Sequence, residues 1–201
     1  MRARLQPESV IRLCMRCARF CCSLLLLSCL STLCQTQDKA AFTPYDVEAA
    51  YLYNFGKFVQ WPPAPGSNSQ TFSICILGED NFGKKLDDTI AGETIQGQKI
   101  AARRLTSVEA ADTCQIVFIG PSEETRLARD LQALQEKPVL TVSSLPEFLE
   151  RGGDIQFLIQ NNRVRFAVNL SAAKRAGLEL SSELLKVAAY VKTDPSKEVR
   201  K

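Results

Sequence analysis

The chain has 201 residues, with 25 lysines and arginines against 22 aspartates and glutamates, and no histidine. Without histidine there is no Ser-His-Asp or Cys-His arrangement and no histidine-ligated metal site. The net charge of +3 is local: residues 1–34 hold Arg2, Arg4, Arg12, Arg16 and Arg19 against Glu8 alone, which leaves 20 basic and 21 acidic residues elsewhere. So neutral a body gives no electrostatic reason to expect nucleic acid or an anionic membrane as a partner.

The arginine-rich start runs into Phe20–Leu33, FCCSLLLLSCLSTL, which has no charge, and then into the polar Gln35-Thr36-Gln37-Asp38-Lys39. A basic start, a short apolar run and a polar exit are the parts of a secretory signal peptide. The apolar run has 14 residues, shorter than the roughly 18–20 of a membrane span. Met15 offers a second start, and Leu26-Leu27-Ser28-Cys29 is a loose lipoprotein box that the leucine before Ser28 fits poorly. Ordinary cleavage between Cys34 and Ala41 is the preferred reading. The expected organisation is a signal peptide over 1–34, a flexible segment over 35–42, one α/β domain over 43–192 and a charged tail over 193–201. About 160 residues suffice for one well-buried core and not for two domains.

The first predicted helix opens at Thr43 as cap, with Pro44 at its first position and Asp46 three residues after the cap. It runs through VEAAYLYNFGKFVQ to Trp61, where Pro62 and Pro63 stop it. Its polar stripe, Asp46, Lys57 and Gln60 with Tyr53 between, is narrow. Val47, Ala50, Tyr51, Leu52, Phe55, Phe58 and Val59 fill the rest, so the helix is apolar on more than one face. A loop over 62–70 follows. Then come a strand over 71–78, a helix over 81–92 ended by Gly92, a strand over 98–105, a short turn over 107–113 and a strand over 114–120. A helix over 122–137 with Ser122 as cap, a strand over 138–143 and a helix over 145–152 complete a β-α alternation. That order predicts a three-layer α/β domain with a mainly parallel sheet flanked by helices. The alternation ends in two runs, 154–160 and 163–169, joined by Asn161-Asn162, which read as a β-hairpin. A helix over 181–191, capped by Ser181 or Ser182, closes the domain.

Little of this carries chemistry. Asp87-Asp88 and Glu123-Glu124 fall on predicted surface helices and read as solvated faces. The turn Gly78-Glu79-Asp80-Asn81-Phe82-Gly83 follows a strand and opens a helix. It lacks G-x-G-x-x-G spacing, however, and its two carboxylates would repel phosphate. No cofactor and no metal are expected, and no ligand-binding residue is assigned.

Six of the eight cysteines lie in residues 1–34, which leaves Cys75 and Cys114. Two cysteines in an exported chain read by default as a disulfide. They sit in the first strand and at the start of the third, which are commonly neighbours in a doubly wound sheet. A redox sensor is the alternative. The lack of C-x-x-C spacing and of a neighbouring basic residue favours a plain staple. The aromatic helix is the other feature: Tyr51, Phe55, Phe58 and Trp61 are candidates for a partner or dimer surface. Arg163 and Arg165, on the polar face of the hairpin, are weaker candidates.

Taken together, AAYLYNFGKFVQWP, ICILGEDNFGKKL, CQIVFIG and LPEFLERGGDIQFLIQNNRVRFAVNLSAAKRAGLELSSELLKVA resemble the YfiR family of bacterial periplasmic proteins, in that family's order over about residues 45–190. Gly152-Gly153, the hairpin, Asn169 and the SSELL helix are the most specific later parts. The resemblance implies a non-catalytic periplasmic repressor. Such a protein binds the periplasmic sensor domain of an inner-membrane diguanylate cyclase and holds it inactive, which lowers cyclic di-GMP and biofilm formation. It also implies a homodimer, and contact with the membrane only through the partner. Some members carry two disulfides and respond to envelope redox state. Cys75 and Cys114 match the earlier pair, while no cysteine follows Cys114 to form the later one. A periplasmic small-ligand-binding sensor module, with its site at the strand ends near Gly78 and Gly120, is the alternative. An envelope enzyme stands third, for want of a nucleophile–base pair.

Overall fold

The computed structural model describes residues 43–63 and 71–193. The leader over 1–34, the 35–42 segment, most of the 62–70 loop and the tail beyond Thr193 lie outside the described residues. Among the described residues no helix is long and apolar enough to cross a membrane.

Helix α1 is Pro44–Phe58 and runs directly into the two-residue strand β1, Val59–Gln60. Its start forms as the sequence predicts. The Thr43 backbone N–H and hydroxyl both donate to the Asp46 carboxylate, at 2.6 and 2.8 Å. Lys85 pairs with the same carboxylate from the second helix. Strand β2 (Thr71–Leu77), helix α2 (Lys84–Ile90), the short β3 (Thr94–Ile95) and β4 (Gln98–Leu105) follow. A 3₁₀ segment over Val108–Thr113 leads into β5 (Ile116–Ile119). Then come helix α3 (Leu127–Leu134), β6 (Leu140–Ser143), and the hairpin β7 (Ile155–Gln160) and β8 (Arg163–Asn169). The described residues finish with α4 (Leu170–Arg175), β9 (Glu179–Leu180), α5 (Ser182–Val187) and β10 (Val191–Lys192).

Among the described residues eight strands form one sheet in the order β10-β8-β7-β6-β5-β2-β4-β3, and β1 pairs with β9 separately. β4, β2, β5, β6 and β7 are parallel neighbours; β8 is antiparallel to β7, and β3 to β4. The first and third long strands are therefore adjacent, as the alternation predicts. One face of the sheet (Phe72, Ile74, Ile76, Phe118, Phe157, Phe166) packs under α1, with Leu86 of α2 and Leu184 of α5. The other (Cys75, Leu77, Val117, Ile119) packs under Leu127, Leu131 and Leu134 of α3. Alternate strand residues feed two apolar layers, which is why these strands read as continuous apolar runs.

Three expectations are corrected. The 122–137 helix is a 3₁₀ turn over Pro121–Glu123 and then α3. Ser122 does not cap it, because its Oγ accepts the Glu79 N–H at 2.9 Å. No helix forms over 145–152. Pro146 opens a series of turns, and Glu147 takes a left-handed φ of 54°, which an α-helix cannot hold. Phe148 and Leu149 still reach the α3-side core. The 181–191 helix stops at Val187, and the chain then adds β10 in parallel to β8. Ser181 is the cap, its Oγ accepting the Leu184 N–H at 3.2 Å.

Candidate functional site

The disulfide forms. Cys75 in β2 and Cys114, just before β5, are bonded with Cα atoms 6.0 Å apart. Both lie in the layer beneath α3 with almost no exposed surface. The bond ties two strands that also pair through the sheet ladder, so it reinforces an existing contact and spans no cleft.

The aromatic candidates of α1 separate into different environments. Phe55 is fully buried, 5.1 Å from Phe166 and 5.9 Å from Phe157. Its ring belongs to the core. Tyr51 is half-buried beside it, 5.3 Å edge-on to Phe166. Trp61 is half-buried across the start of the sheet, edge-on to Phe72 at 5.1 Å, and its Nε1–H donates to the Gln115 carbonyl at 3.1 Å. Phe58 alone among them is substantially open, at 39% exposure. Along the helix Val47, Tyr51, Asn54 and Phe58 recur at the spacing of one helical row, so Tyr51 and Phe58 can share a single surface strip.

Arg163 and Arg165 are exposed on β8, on the sheet face away from α1. Arg165 Nη2 donates to the Val187 carbonyl at 3.2 Å. The Asn161-Asn162 turn before them has φ of 50° and 57°, the left-handed pair that a tight hairpin turn requires. The arginines and the Tyr51–Phe58 strip therefore form two surfaces.

The strand ends near Gly78 and Gly120 meet at the switch point of the sheet, where this topology commonly holds a ligand. Here Ser122 and Glu123 come close to the first of these strand ends. Gly78 has a left-handed φ of 91°, and a Cβ on it would overlap the Ser122 hydroxyl and lie 2.8 Å from Glu123 Oε1. The turn after β2 is likewise satisfied internally. Asp80 Oδ1 accepts the N–H groups of Phe82 and Gly83, at 2.9 and 3.1 Å, and Oδ2 pairs with Arg104 Nε at 2.8 Å. The amides a phosphate would need are taken by a carboxylate. Arg104 also forks onto Asp87, holding that carboxyl below its ordinary range. Among the described residues no cluster of metal-ligating side chains occurs.

Sequence reasoning missed the buried acids. Glu123, read as solvated, is buried and paired bidentately with Arg126, at 2.8 and 2.7 Å, which lowers its pKa. Asp88 and Glu124 are exposed as expected. Asp154 accepts the Thr141 N–H and hydroxyl, at 2.8 and 2.6 Å; burial nonetheless pushes its pKa up to about 6. Glu48 faces the core from α1 at 3% exposure. Its Oε2 has no hydrogen-bond partner among the described residues, and burial pushes its pKa up to about 7. Tyr45, one turn earlier, is raised by burial and then by the charges of Glu48 and Glu79. The signal for Glu48 was present: two residues beyond Asp46, at about 100° per residue, it falls opposite the polar stripe.

A match to the YfiR/HmsC-like family extends over residues 45–189, from the first turn of α1 to the approach to β10. The chain belongs to the YfiR/HmsC-like family. Two solved structures resemble this YfiR/HmsC-like chain in fold. One is a conserved domain protein from Vibrio cholerae O1 biovar El Tor strain N16961, with a TM-score of 0.51 at 9% identity, covering 75% of this chain and 61% of that one. The other is an ABC domain in complex with L-Trp from Streptococcus pneumonia, with a TM-score of 0.50 at 12% identity, covering 72% of this chain and 60% of that one. The chain thus spans about three fifths of the length of each. At such identities the likeness is one of fold alone.

Proposed function

We propose that this protein is a periplasmic, non-catalytic regulator of cyclic di-GMP signalling. It binds the periplasmic domain of a membrane diguanylate cyclase and holds that enzyme in its inactive state. The observation that carries the reading is family membership across nearly the whole described domain, residues 45–189. The structure is compatible with it at two points. At the switch point Ser122 and Glu123 pack close against Gly78, which favours this reading over the small-ligand alternative. Phe58, with Tyr51 behind it, leaves an aromatic strip of α1 at the surface.

In this reading the Tyr51–Phe58 strip is a contact surface for the cyclase or for a second copy of the chain, Trp61 holds the end of α1 in place, and Phe55 supports the strip from below. A repressor shifts its partner only by binding the inactive state more tightly than the active one. Export through a cleaved leader over 1–34 places the domain on the side of the membrane where the sensor domain lies. Deleting the gene and measuring intracellular cyclic di-GMP tests the proposal. A rise is expected, with restoration by the intact gene and not by a Phe58→Glu version. An unchanged level in a strain that expresses such a cyclase would overturn it.

A further inference from the structure

One edge of the sheet is left partly open. Val168 N–H donates to the Tyr190 carbonyl at 3.1 Å, and the Phe166 carbonyl accepts the Ala189 N–H at 2.7 Å. Residues 166 and 168 therefore turn their backbone groups away from β7, toward the last strand. By the alternation of an antiparallel ladder, Val164 does the same. Among the described residues β10 pairs with Val168 and Asn169 alone. Among the described residues no backbone group meets Val164, and its N–H and carbonyl face outward.

The side chains around that opening are sorted by face. Opposite one another across β7 and β8 stand Gln160 with Arg163 and Leu158 with Arg165. Gln160, Asn161, Arg163 and Arg165 line an open concavity that contains no carboxylate. Neither arginine has an ion-pair partner among the described residues. On the other face Ile159, 61% exposed, pairs with Val164. Val187 and Tyr190 lie beside the open edge, at 58% and 46% exposure. An unpaired edge flanked by exposed apolar side chains is a template for another strand. Among the described residues the edge at 163–165 has no proline or bulge, and its two charges, both positive, discourage basic or like strands and leave an acidic one favoured.

We propose that the Arg163–Arg165 edge of β8 receives an extended segment of a partner protein as an added strand, with acidic residues beside the two arginines and apolar residues beside Val164, toward Val187 and Tyr190. Main-chain hydrogen bonds at Val164 supply attachment, and the alternation of side chains supplies selectivity. The partner is a different protein. Pairing this edge with itself about a two-fold axis through Val164 sets Arg163 of one copy against Arg165 of the other, and like charges directly opposed oppose pairing. The proposal rests on the reading of the chain as a protein-binding regulator and names the chemistry of one of its contacts.

The test uses the purified protein and fluorescein-labelled hexapeptides in which glutamate or lysine alternates with valine. Fluorescence anisotropy is expected to show binding of the glutamate peptide, weakened by salt, and little binding of the lysine peptide. Arg163→Glu/Arg165→Glu should weaken the glutamate peptide about tenfold or more and take up the lysine peptide instead. Val164→Pro, which removes the outward N–H without touching the ladder to β7, should weaken it as well. Both variants are expected to unfold cooperatively near the wild-type midpoint in thermal unfolding, which checks that the fold persists. Equal uptake of both peptides, undiminished binding by the double variant, or binding to phosphatidylglycerol vesicles with none to peptide would each overturn the proposal. Cyclic di-GMP in the deletion strain separates the two failures. An unchanged level with normal peptide binding sinks the regulator reading alone, and a raised level with no peptide binding sinks the strand-addition surface alone.

Discussion

Glu48 stands in α1 where a leucine would serve the core better, and among the described residues its Oε2 has no hydrogen-bond partner. Its carboxyl titrates near 4.5 in an unfolded chain and about 7 when folded. Below pH 4.5 both states hold the proton, and the group costs nothing. Between pH 4.5 and 7 the unfolded chain has lost a proton that the folded chain keeps, so stability falls as pH rises; above 7 the penalty is constant. Asp154, raised from 3.8 to about 6 by burial, acts in the same direction. Asp46 acts in the opposite one. Its hydrogen bonds from Lys85 and Thr43 hold it at about 2, so its contribution is full above pH 3.8 and is lost as pH falls through 2. Thermal unfolding followed from pH 4.5 to pH 8 is therefore expected to show a falling midpoint. Glu48→Gln should flatten that fall and stabilise the protein at pH 8 by on the order of 1–3 kcal/mol, with little change at pH 4.5. Gly56 is the other telling residue. A Cβ there would overlap Ile95 and lie 3.2 Å from Phe72 Cζ, so the missing side chain lets α1 lie close to the sheet. Gly56→Leu should cost about 1–3 kcal/mol in urea unfolding.

At the scale of elements, the disulfide and the hairpin carry the clearest expectations. Cys75→Ser/Cys114→Ser removes a link between residues 39 apart and should lower the unfolding free energy by about 2–4 kcal/mol. Asn162 occupies the second left-handed position of the hairpin turn. Asn162→Gly should be neutral to stabilising by up to about 1 kcal/mol, and Asn162→Val destabilising, both read from urea midpoints. These elements were legible because local signals fixed them. Two alternating runs around Asn-Asn specify a hairpin, and two cysteines on adjacent strands specify a bridge. The 145–152 segment was not legible, because its apolar Leu145, Phe148 and Leu149 have helical spacing and are buried by a run of turns instead. Gly153 shows why: a Cβ there would overlap the Phe148 ring, so the contact that fixes this segment is tertiary. Likewise, that Phe55 lies in the core while Phe58 faces solvent depends on which side of α1 the sheet covers. Composition alone, apolar on several faces, does not settle that.

At the scale of the whole molecule, the eight-stranded sheet buries α1 on one side and the disulfide on the other. The element that faces solvent as an aromatic strip and the element that stores the covalent link are thus separated by the thickness of the sheet. Loss of the disulfide is expected to act on Tyr51 and Phe58 only through global stability. The double cysteine variant should therefore keep near-wild-type near-ultraviolet circular dichroism from its aromatic residues at temperatures well below its midpoint.

Sealed beneath α3, both sulfurs are out of reach of a small thiol while the layers stay closed. Attack on a disulfide requires an approaching thiolate, so its cleavage must wait for the chain to open. In excess dithiothreitol the rate of reduction should level off at the rate of unfolding and stop responding to further reductant. The cross-link then serves as a lasting record of the surroundings in which the chain first folded, insensitive to those it meets afterwards.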